Sequence, residues 1–482
     1  MRRSTLVPLL AGICAAAGAG ACGGSGGPTL DRAALLDPQT CQSCHPSQFQ
    51  DWSGSMHAYA SDDPVFRAMN QRVQRENPQA GPFCLQCHAP MAVRDGLTVD
   101  GSNLDQVPQT HHGVTCYFCH SAESVAGTHN NPLTLSTDGS LFGPFGDPVA
   151  GTPHKAAYSA LLDDSTTDSA NMCGSCHDIQ NLQQAHVERT FAEWQQTLFA
   201  VPPNGTTCAQ CHMPGSNGPA STVSTGKVRR VHSHVLAGVD LALTAGFPQK
   251  DAQKASAQDF LDRTLQATLC LDPSANSLQL TFDNVGAGHG FPSGATPDRR
   301  AWVEVTATSG GQPLYSSGGA SSLPLEGSPD PDLWLVRDCM TDAAGAPTGL
   351  FWRAASVEDD QLPASLTANI NDPRSFMSHR QRTFPSTPGQ GLSATPDHIT
   401  LAVHLKAIGD DVLADLVQSK DLDPSVPSQL ASYTLAAAAL DWTPTTAKTK
   451  TDPSTGLPRL CVTSGTYNAN VTAAPSHARC GP

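Results

Sequence analysis

The sequence predicts an α+β protein: a loop-rich, mostly helical domain followed by a domain resembling an antiparallel β-sandwich. Three observations lead to this expectation. Gly (41) and Pro (38) are abundant and charged residues make up only 15% of the 482 residues, which indicates short elements joined by many turns. Five copies of one Cys/His motif lie between Cys41 and His212. After Asp240, apolar and polar residues tend to alternate, as they do in strands.

The N-terminus has the pattern of an export signal over residues 1–21. Arg2 and Arg3 precede an apolar run over 6–21 that is too short for a confident membrane span. Ala19-Gly-Ala-Cys22 resembles a bacterial lipobox, although Ala19 stands where such boxes usually carry Leu; the alternative is an ordinary small-residue cleavage site. We expect an exported protein of the periplasm or cell surface, anchored by lipid at Cys22, with residues 22–37 as a flexible tether.

Residues 38–240 form the second predicted unit, organised by five C-x-x-C-H motifs, numbered 1 to 5 in chain order. Their first cysteines are separated by 32 to 57 residues, an irregularity that argues against a solenoid repeat. Helical pieces are predicted at 64–73 and 190–199. The segment has too few Leu, Ile and Val for an ordinary core, and bound macrocycles would supply the missing apolar interior.

C-x-x-C-H is the attachment motif of c-type haem: two thiols three positions apart form thioethers with the two vinyl groups, and the histidine becomes the proximal iron ligand. A zinc ribbon would explain the cysteines but not the histidine that follows every second cysteine. The sequence therefore predicts five covalent haem c groups. The attachment residues are Cys41, Cys44, His45; Cys84, Cys87, His88; Cys116, Cys119, His120; Cys173, Cys176, His177; and Cys208, Cys211, His212.

Distal iron ligands are sought among the remaining histidines. Five are the preferred candidates: His57, His129, His154, His234 and His289. For His129 the alternative is a turn-forming polar residue, and for His289 a tight loop rich in glycine. One of His111 and His112 is a weaker candidate for a neighbouring iron, and His186 and His232 are weaker still. Methionines next to the motifs are alternative ligands that haem packing explains equally well; they are Met56, Met91, Met172 and Met213.

Residues 241–482 are predicted to be β-rich and carry no haem motif. Strands are expected at 264–271, 278–284, 302–306, 334–336 and 399–405. His379, His398, His404 and His477 lie here and are expected to be structural. In an oxidising compartment Cys270, Cys339, Cys461 and Cys480 are expected to form two disulfides, with all three pairings open.

The motifs and their surroundings resemble multihaem c-type cytochromes of the tetrahaem cytochrome and hydroxylamine-oxidoreductase-like group. The resemblance extends to about residue 306, and five segments carry it: Trp52-x-x-Ser-x-His57, Gly113-Val-Thr-Cys116, Glu193-Trp194 ahead of motif 5, His234-x-x-x-Gly238, and Gly288-His289-x-x-Pro292-Ser-Gly294 with Arg299-Arg300. It implies closely packed haems with mostly bis-His ligation. The C-x-x-C-Lys motif of ammonia-forming nitrite reductases is absent from the sequence.

The function predicted from these features is electron transfer through five haems, in an electron carrier rather than a catalyst. Redox partner proteins are expected. The net charge of −15 with no internal basic run argues against a nucleic-acid partner. Two alternatives stay open: an oxidoreductase acting on a small nitrogen or sulfur compound at one five-coordinate haem, and a homo-oligomeric subunit of a polymeric haem wire.

Overall fold

The computed structural model describes residues 30–148, 153–202, 205–223, 227–364, 379–452, 455–465 and 480. The proposed signal, the tether up to residue 29 with Cys22, and His477 lie outside these residues. Across the described ranges, no helix combines the length and the apolar character needed to cross a membrane.

The structure contains both helices and antiparallel sheets, so the mixed α+β class is confirmed. The helices are α1 (Arg32–Leu36), α2 (Pro38–Gln42), α3 (Pro46–Ser53), α4 (Met56–Tyr59), α5 (Pro64–Glu76), α6 (Leu85–His88), α7 (Pro90–Arg94), α8 (Cys116–His120), α9 (Ser169–Gly174), α10 (Thr190–Gln195), α11 (Cys208–His212), α12 (Lys250–Thr264) and α13 (Asp410–Gln418).

The strands fall into short ribbons in the first half and long sheets in the second. They are β1 (Ala122–Val125), β2 (Leu133–Leu135), β3 (Ser140–Gly143), β4 (Lys155–Tyr158), β5 (Ile179–Gln180), β6 (His186–Glu188), β7 (Gly215–Pro219), β8 (Val228–His232), β9 (Leu265–Asp272), β10 (Ser277–Asn284), β11 (Arg300–Ser309), β12 (Gln312–Ser317), β13 (Trp334–Val336), β14 (Cys339–Thr341), β15 (Ser356–Glu358), β16 (His379–Phe384), β17 (His398–Lys406), β18 (Ser432–Thr434), β19 (Leu440–Trp442), β20 (Lys448–Thr451) and β21 (Pro458–Thr463).

Helix α5 shows how caps and prolines limit the length of the helices in the first half. Asp63 caps it by accepting a hydrogen bond from the Val65 backbone N–H, and Pro64 occupies the first turn, where its missing N–H costs nothing. The helix ends at Glu76, just before Asn77-Pro78, because the residue before a proline disfavours helical geometry. The helix predicted over 64–73 is therefore confirmed and extends one turn further.

Two sheets organise the second half. One has the strand order β16-β10-β9-β21-β20, and the other has the order β12-β11-β17-β18, with β13 beside β11 and β19 beside β17. All pairings in both sheets are antiparallel. Strand β17 buries alternate residues, so that Ile399, Leu401, Val403 and Leu405 lie in the core. Buried residues of both sheets form one apolar cluster.

Two disulfides select one of the three pairings that the sequence leaves open. Cys270 joins Cys461 between the neighbouring strands β9 and β21, and Cys339 joins Cys480. The first of these links residues 191 positions apart.

Two helices in the second half were not expected from the sequence. Helix α12 leads directly into β9, and α13 packs against α5 of the first half through an apolar cluster that includes Val65, Leu413 and Leu416. Arg72 of α5 also forms an ion pair with Asp415 of α13. These contacts attach α5 of the motif-bearing half to α13 of the second half.

Candidate functional site

Each C-x-x-C-H motif lies in or beside a short helical turn. Motifs 3 and 5 coincide with helices α8 and α11, and their N-caps are Thr115 and Thr207, whose hydroxyls accept hydrogen bonds from the backbone N–H three residues later. Residues three apart share one face of a helix, so both cysteines of a motif project to the same side. This is the arrangement that a two-point covalent attachment requires.

The five motif histidines use Nδ1 in the same way. In four of them this nitrogen hydrogen-bonds to a backbone carbonyl: His45 to Ala220 (2.8 Å), His88 to Ala60 (3.1 Å), His120 to Phe142 (2.6 Å) and His212 to Ala237 (2.8 Å). The fifth, His177, bonds Glu188 Oε1 at 3.0 Å. A carbonyl or carboxylate needs a donor, so Nδ1 carries the proton and Nε2 keeps its lone pair for a metal.

Four motif histidines lie opposite a second imidazole. The ring centres are 6.4 Å apart for His45 and His154, 6.2 Å for His177 and His57, 6.3 Å for His120 and His234, and 6.4 Å for His212 and His289. Two imidazoles on opposite faces of one metal, with bonds of ~2 Å, place their ring centres ~6 Å apart. The spacing therefore fits a haem iron between the rings of each pair.

Burial keeps several of these rings neutral, the form that binds metals. It lowers the pKa of His57 to about 3, and it lowers the pKa values of His212 and His234 to about 4, with neighbouring histidines adding to the effect. The buried His57 Nδ1 has no hydrogen-bond partner among the described residues.

A cavity of about 620 Å³ opens beside His154. Leu35, Met91 and Leu133 give it apolar walls, while Arg94 and Lys155 add positive charge. An apolar macrocycle with carboxylate edges suits such a lining, because it buries its ring while its acidic groups meet cations.

The motif cysteines bring the five motifs into one connected cluster. Thiols of different motifs lie close enough for one to shift the pKa of another: Cys116 lowers the pKa of Cys41 (motifs 3 and 1), Cys176 raises that of Cys87 (motifs 4 and 2), and Cys173 raises that of Cys208 (motifs 4 and 5). Cys119 of motif 3 is also close enough to Cys176 to sense its charge. Motif 4 therefore neighbours three others.

Nine of the ten motif cysteines are free thiols. Cys44 is disulfide-bonded, and this bond must be reduced before Cys44 forms a thioether.

His88 of motif 2 differs from the other four. Among the described residues no second histidine ring lies opposite it; instead the ring of Phe66 stacks on it at 4.2 Å, with 7° between the planes. The surrounding cluster is apolar and includes Leu85, Leu104 and Val107. A haem held here would have one histidine ligand from the described residues.

His129, a predicted distal ligand, lies beside another histidine. Its ring lies 6.1 Å from that of His186, beside Asp178, and no ring contact joins it to a motif histidine within the described ranges. The two ring nitrogens of His112 bond Asp62 and backbone carbonyls, and those of His111 bond Thr110 and Asp95. This geometry favours none of the three as an iron ligand.

The loop that carries His289 reaches the first half through Glu193. The Glu193 carboxylate accepts hydrogen bonds from the Gly290 N–H (2.9 Å) and the Ser293 hydroxyl (2.8 Å), and burial raises its pKa. Gly288 has φ +70°, a conformation that favours glycine. Trp194, next to Glu193, donates to the Thr206 carbonyl at 2.9 Å, two residues before Cys208 of motif 5. These contacts place His289 opposite His212.

A second set of contacts positions His57. The Val114 N–H donates to the His57 carbonyl (2.8 Å), and the Trp52 indole donates to the Val114 carbonyl (2.8 Å). Gly113 has φ +65°, and a Cβ there would come within 2.6 Å of the His57 carbonyl oxygen. The segment before motif 3 thus holds the turn that presents His57 to motif 4.

Sequence reasoning missed Glu188 and Phe66, which contact His177 and His88. Glu188 follows motif 4 by 11 residues, and the signal that could have identified it is a two-strand ribbon that returns beside its own motif. Phe66 carried no signal beyond its place on the apolar face of α5.

Comparison with known proteins gives two matches. Residues 40–121, which contain motifs 1 to 3, match the family described as cytochrome c554 and c-prime. The fold is similar to that of a penta-heme cytochrome c552 from Thermochromatium tepidum: the TM-score is 0.58 at 19% sequence identity, over 86% of this chain and 100% of that one. No curated protein sequence matches the chain at a significant level. With the five motifs, these findings support a multihaem c-type cytochrome.

Proposed function

We propose that the chain is an exported c-type cytochrome that carries electrons through five covalently attached haems. The thioethers come from the two cysteines of each motif, and the motif histidines are the proximal ligands. His154, His57, His234 and His289 are the distal ligands for motifs 1, 4, 3 and 5. Haem c supplies reversible one-electron chemistry, while the protein sets the spacing, ligands and solvent access of each centre.

One observation carries this proposal: among the described residues, each of four motif histidines faces one other histidine at 6.2 to 6.4 Å between ring centres. The same four use Nδ1 for hydrogen bonds and so leave Nε2 for iron. Chance packing of surface histidines would not repeat one spacing four times at the four motifs.

Electron paramagnetic resonance of the ferric holoprotein, matured with a haem-attachment system, tests the assignment. Four low-spin centres and one high-spin centre are expected, the latter at motif 2. The variant His234→Ala should convert one low-spin centre to high-spin, whereas His398→Ala, whose ring bonds Asp441 in the second half, should change nothing. Five low-spin centres in the wild-type protein would contradict the ligand set.

A second candidate function rests on His88. Because no second histidine ring lies opposite His88 among the described residues, a haem at motif 2 would leave one coordination position for a small ligand. We propose reduction or oxidation of a small nitrogen or sulfur compound there as the alternative to pure electron transfer. Nitrite and hydroxylamine should then perturb the high-spin signal alone. A signal unaffected by both compounds would leave electron transfer as the function.

We also propose that Cys22 carries a lipid that holds the protein at the membrane surface, where it exchanges electrons with redox partner proteins. The expected result is a membrane-associated holoprotein that the variant Cys22→Ser releases. If the wild-type protein is already free of the membrane fraction, the anchor proposal is wrong.

A further inference from the structure

Glu188 gives motif 4 a hydrogen-bond acceptor of a different kind. The Nδ1–H of His177 donates to the Glu188 carboxylate at 3.0 Å, whereas the other four motif histidines donate to neutral backbone carbonyls. Charge-assisted hydrogen bonds are roughly twice as strong as neutral ones. Motif 4 is therefore electrostatically distinct from the other four.

The backbone fixes this contact. Strand β5 follows motif 4 directly, and β6 returns antiparallel to it, so that Glu188 pairs with Ile179, two residues after His177. The turn between the strands includes Gln184 at φ +66°. The Glu188 side chain is only 13% exposed and has no other side-chain hydrogen bond among those found in the described residues. It is held against one imidazole rather than shared among surface partners.

We propose that Glu188 is a positioning residue that lowers the reduction potential of the haem held by His177 and His57 relative to the other bis-His haems. This inference rests on the proposed function. A carboxylate on Nδ1 increases the electron-donating power of the imidazole, which stabilises the ferric state, and its charge opposes the addition of an electron. Reduction adds one electron from the donor, and the Nδ1 proton stays between His177 and Glu188 in both states.

Neighbouring charges modify this effect but do not cancel it. The negative charge of Glu188 helps to raise the pKa of Arg299, but the Arg299 guanidinium donates two hydrogen bonds of 2.6 Å to the Asp240 carboxylate. His88 also senses the charge of Glu188. The shift is therefore largest at motif 4, smaller at motif 2 and smallest at the rest.

The position of motif 4 gives this shift a functional consequence. Its cysteines lie near those of motifs 2 and 5, and Cys176 lies near Cys119 of motif 3. A low potential at this junction makes motif 4 the last centre to hold an electron. At equilibrium the electrons then reside on the haems of the surrounding motifs, and the haem of motif 4 is reduced only transiently during transfer between them.

The angle between the two paired imidazole planes distinguishes motif 4 from the other motifs in electron paramagnetic resonance. The planes of His57 and His177 are 78° apart, whereas those of the other three pairs are 16° to 36° apart. Nearly perpendicular imidazoles give a ferric haem a highly anisotropic low-spin resonance, and nearly parallel ones give a rhombic resonance. A potentiometric titration followed by electron paramagnetic resonance can therefore read motif 4 separately.

The test compares the fully haem-loaded wild-type protein with Glu188→Gln, which keeps a neutral acceptor on His177 and removes the charge. The anisotropic signal should titrate at a higher potential in the variant, by at least a tenfold change in the reduction equilibrium constant, which is about 59 mV for one electron. Its shape should not change, whereas a variant that merely reoriented the ring would alter the shape. Glu304→Gln, which removes the carboxylate bonded to His404 in the second half, is the matched control and should shift nothing.

An unchanged midpoint in the fully loaded Glu188→Gln variant, or an equal shift of all the haems, would overturn the inference. If that variant loads fewer haems, Glu188→Asp takes its place: it keeps the charge but shortens the reach, so a smaller rise is expected and no rise overturns the inference. Absence of covalent haem from the wild-type protein would instead refute the proposed function. The two failures are therefore distinguishable.

Discussion

Replacing His289 with alanine removes the imidazole that the second half contributes to motif 5. The centres of the His289 and His212 rings are 6.4 Å apart and their planes differ by 16°. Alanine cannot span that distance, so His212 would be the sole protein ligand on its haem. Among the described residues, His88 is the one motif histidine with no facing imidazole; the Phe66 ring stacks on it instead. The high-spin fraction should therefore double, from one haem in five to two in five.

Magnetic circular dichroism of the ferric holoprotein measures this fraction, because high-spin and low-spin haems have separate near-infrared bands. The matched control is His404→Ala, a histidine of the same half whose ring bonds Glu304 and Thr434 rather than facing a motif. The control should keep the wild-type spectrum. If His289→Ala also keeps it, with five haems attached, His289 does not ligate iron and the assignment for motif 5 is wrong.

Three further predictions concern stability. Gly113→Ala should lower the free energy of unfolding by about 2 kcal/mol or more, because alanine is strained at φ +65° and its Cβ would crowd the His57 carbonyl. The control is Gly139→Ala, where φ is +76° but the space around the Cβ is open, so only the backbone strain applies. It should lower the free energy of unfolding by less. Removing the Cys270 to Cys461 disulfide, which closes a separation of 191 residues, should cost roughly 5 kcal/mol in denaturant unfolding, and no loss would contradict the chain-entropy argument. Burial raises the pKa of Asp298 to about 7, against the pull of Arg300 and Arg299, so the folded state binds a proton that the unfolded state releases near pH 4. Wild-type stability relative to Asp298→Asn should therefore fall between about pH 4 and pH 7 and level off above; a difference that does not vary with pH would refute it.

Much of the first half could be predicted because its chemistry is local. A five-residue motif specifies two thiols and a histidine on one turn, and the cap Asp63 with Pro64 marks the start of α5. The partners of the motif histidines are a long-range property. His57 lies in sequence next to motif 1 but faces His177 of motif 4, so sequence proximity would have misassigned it.

In the second half, the strands could be predicted from the sequence but the helices could not. Alternation of apolar and polar residues predicted β9, β10, β11 and β17 within a few residues. In the structure only β17 alternates buried and half-buried residues along its whole length, whereas β9 and β10 are buried on both faces. Helices α12 and α13 were missed. The apolar stripe of α13 is recognisable only when α5, more than 300 residues earlier, is known to cover it. The surroundings of His129 are long-range in the same way: its turn context was clear from the sequence, but its spatial neighbour His186 was not.

We propose that five haems are covalently attached to one chain and that the motif cysteines hold them. The intact mass of the denatured holoprotein, produced with a haem-attachment system, tests this claim most directly. We predict the mass of the polypeptide plus five haems, and plus four for the double variant Cys116→Ala/Cys119→Ala. A mass equal to the bare polypeptide, or a variant that keeps five haems, would contradict the account.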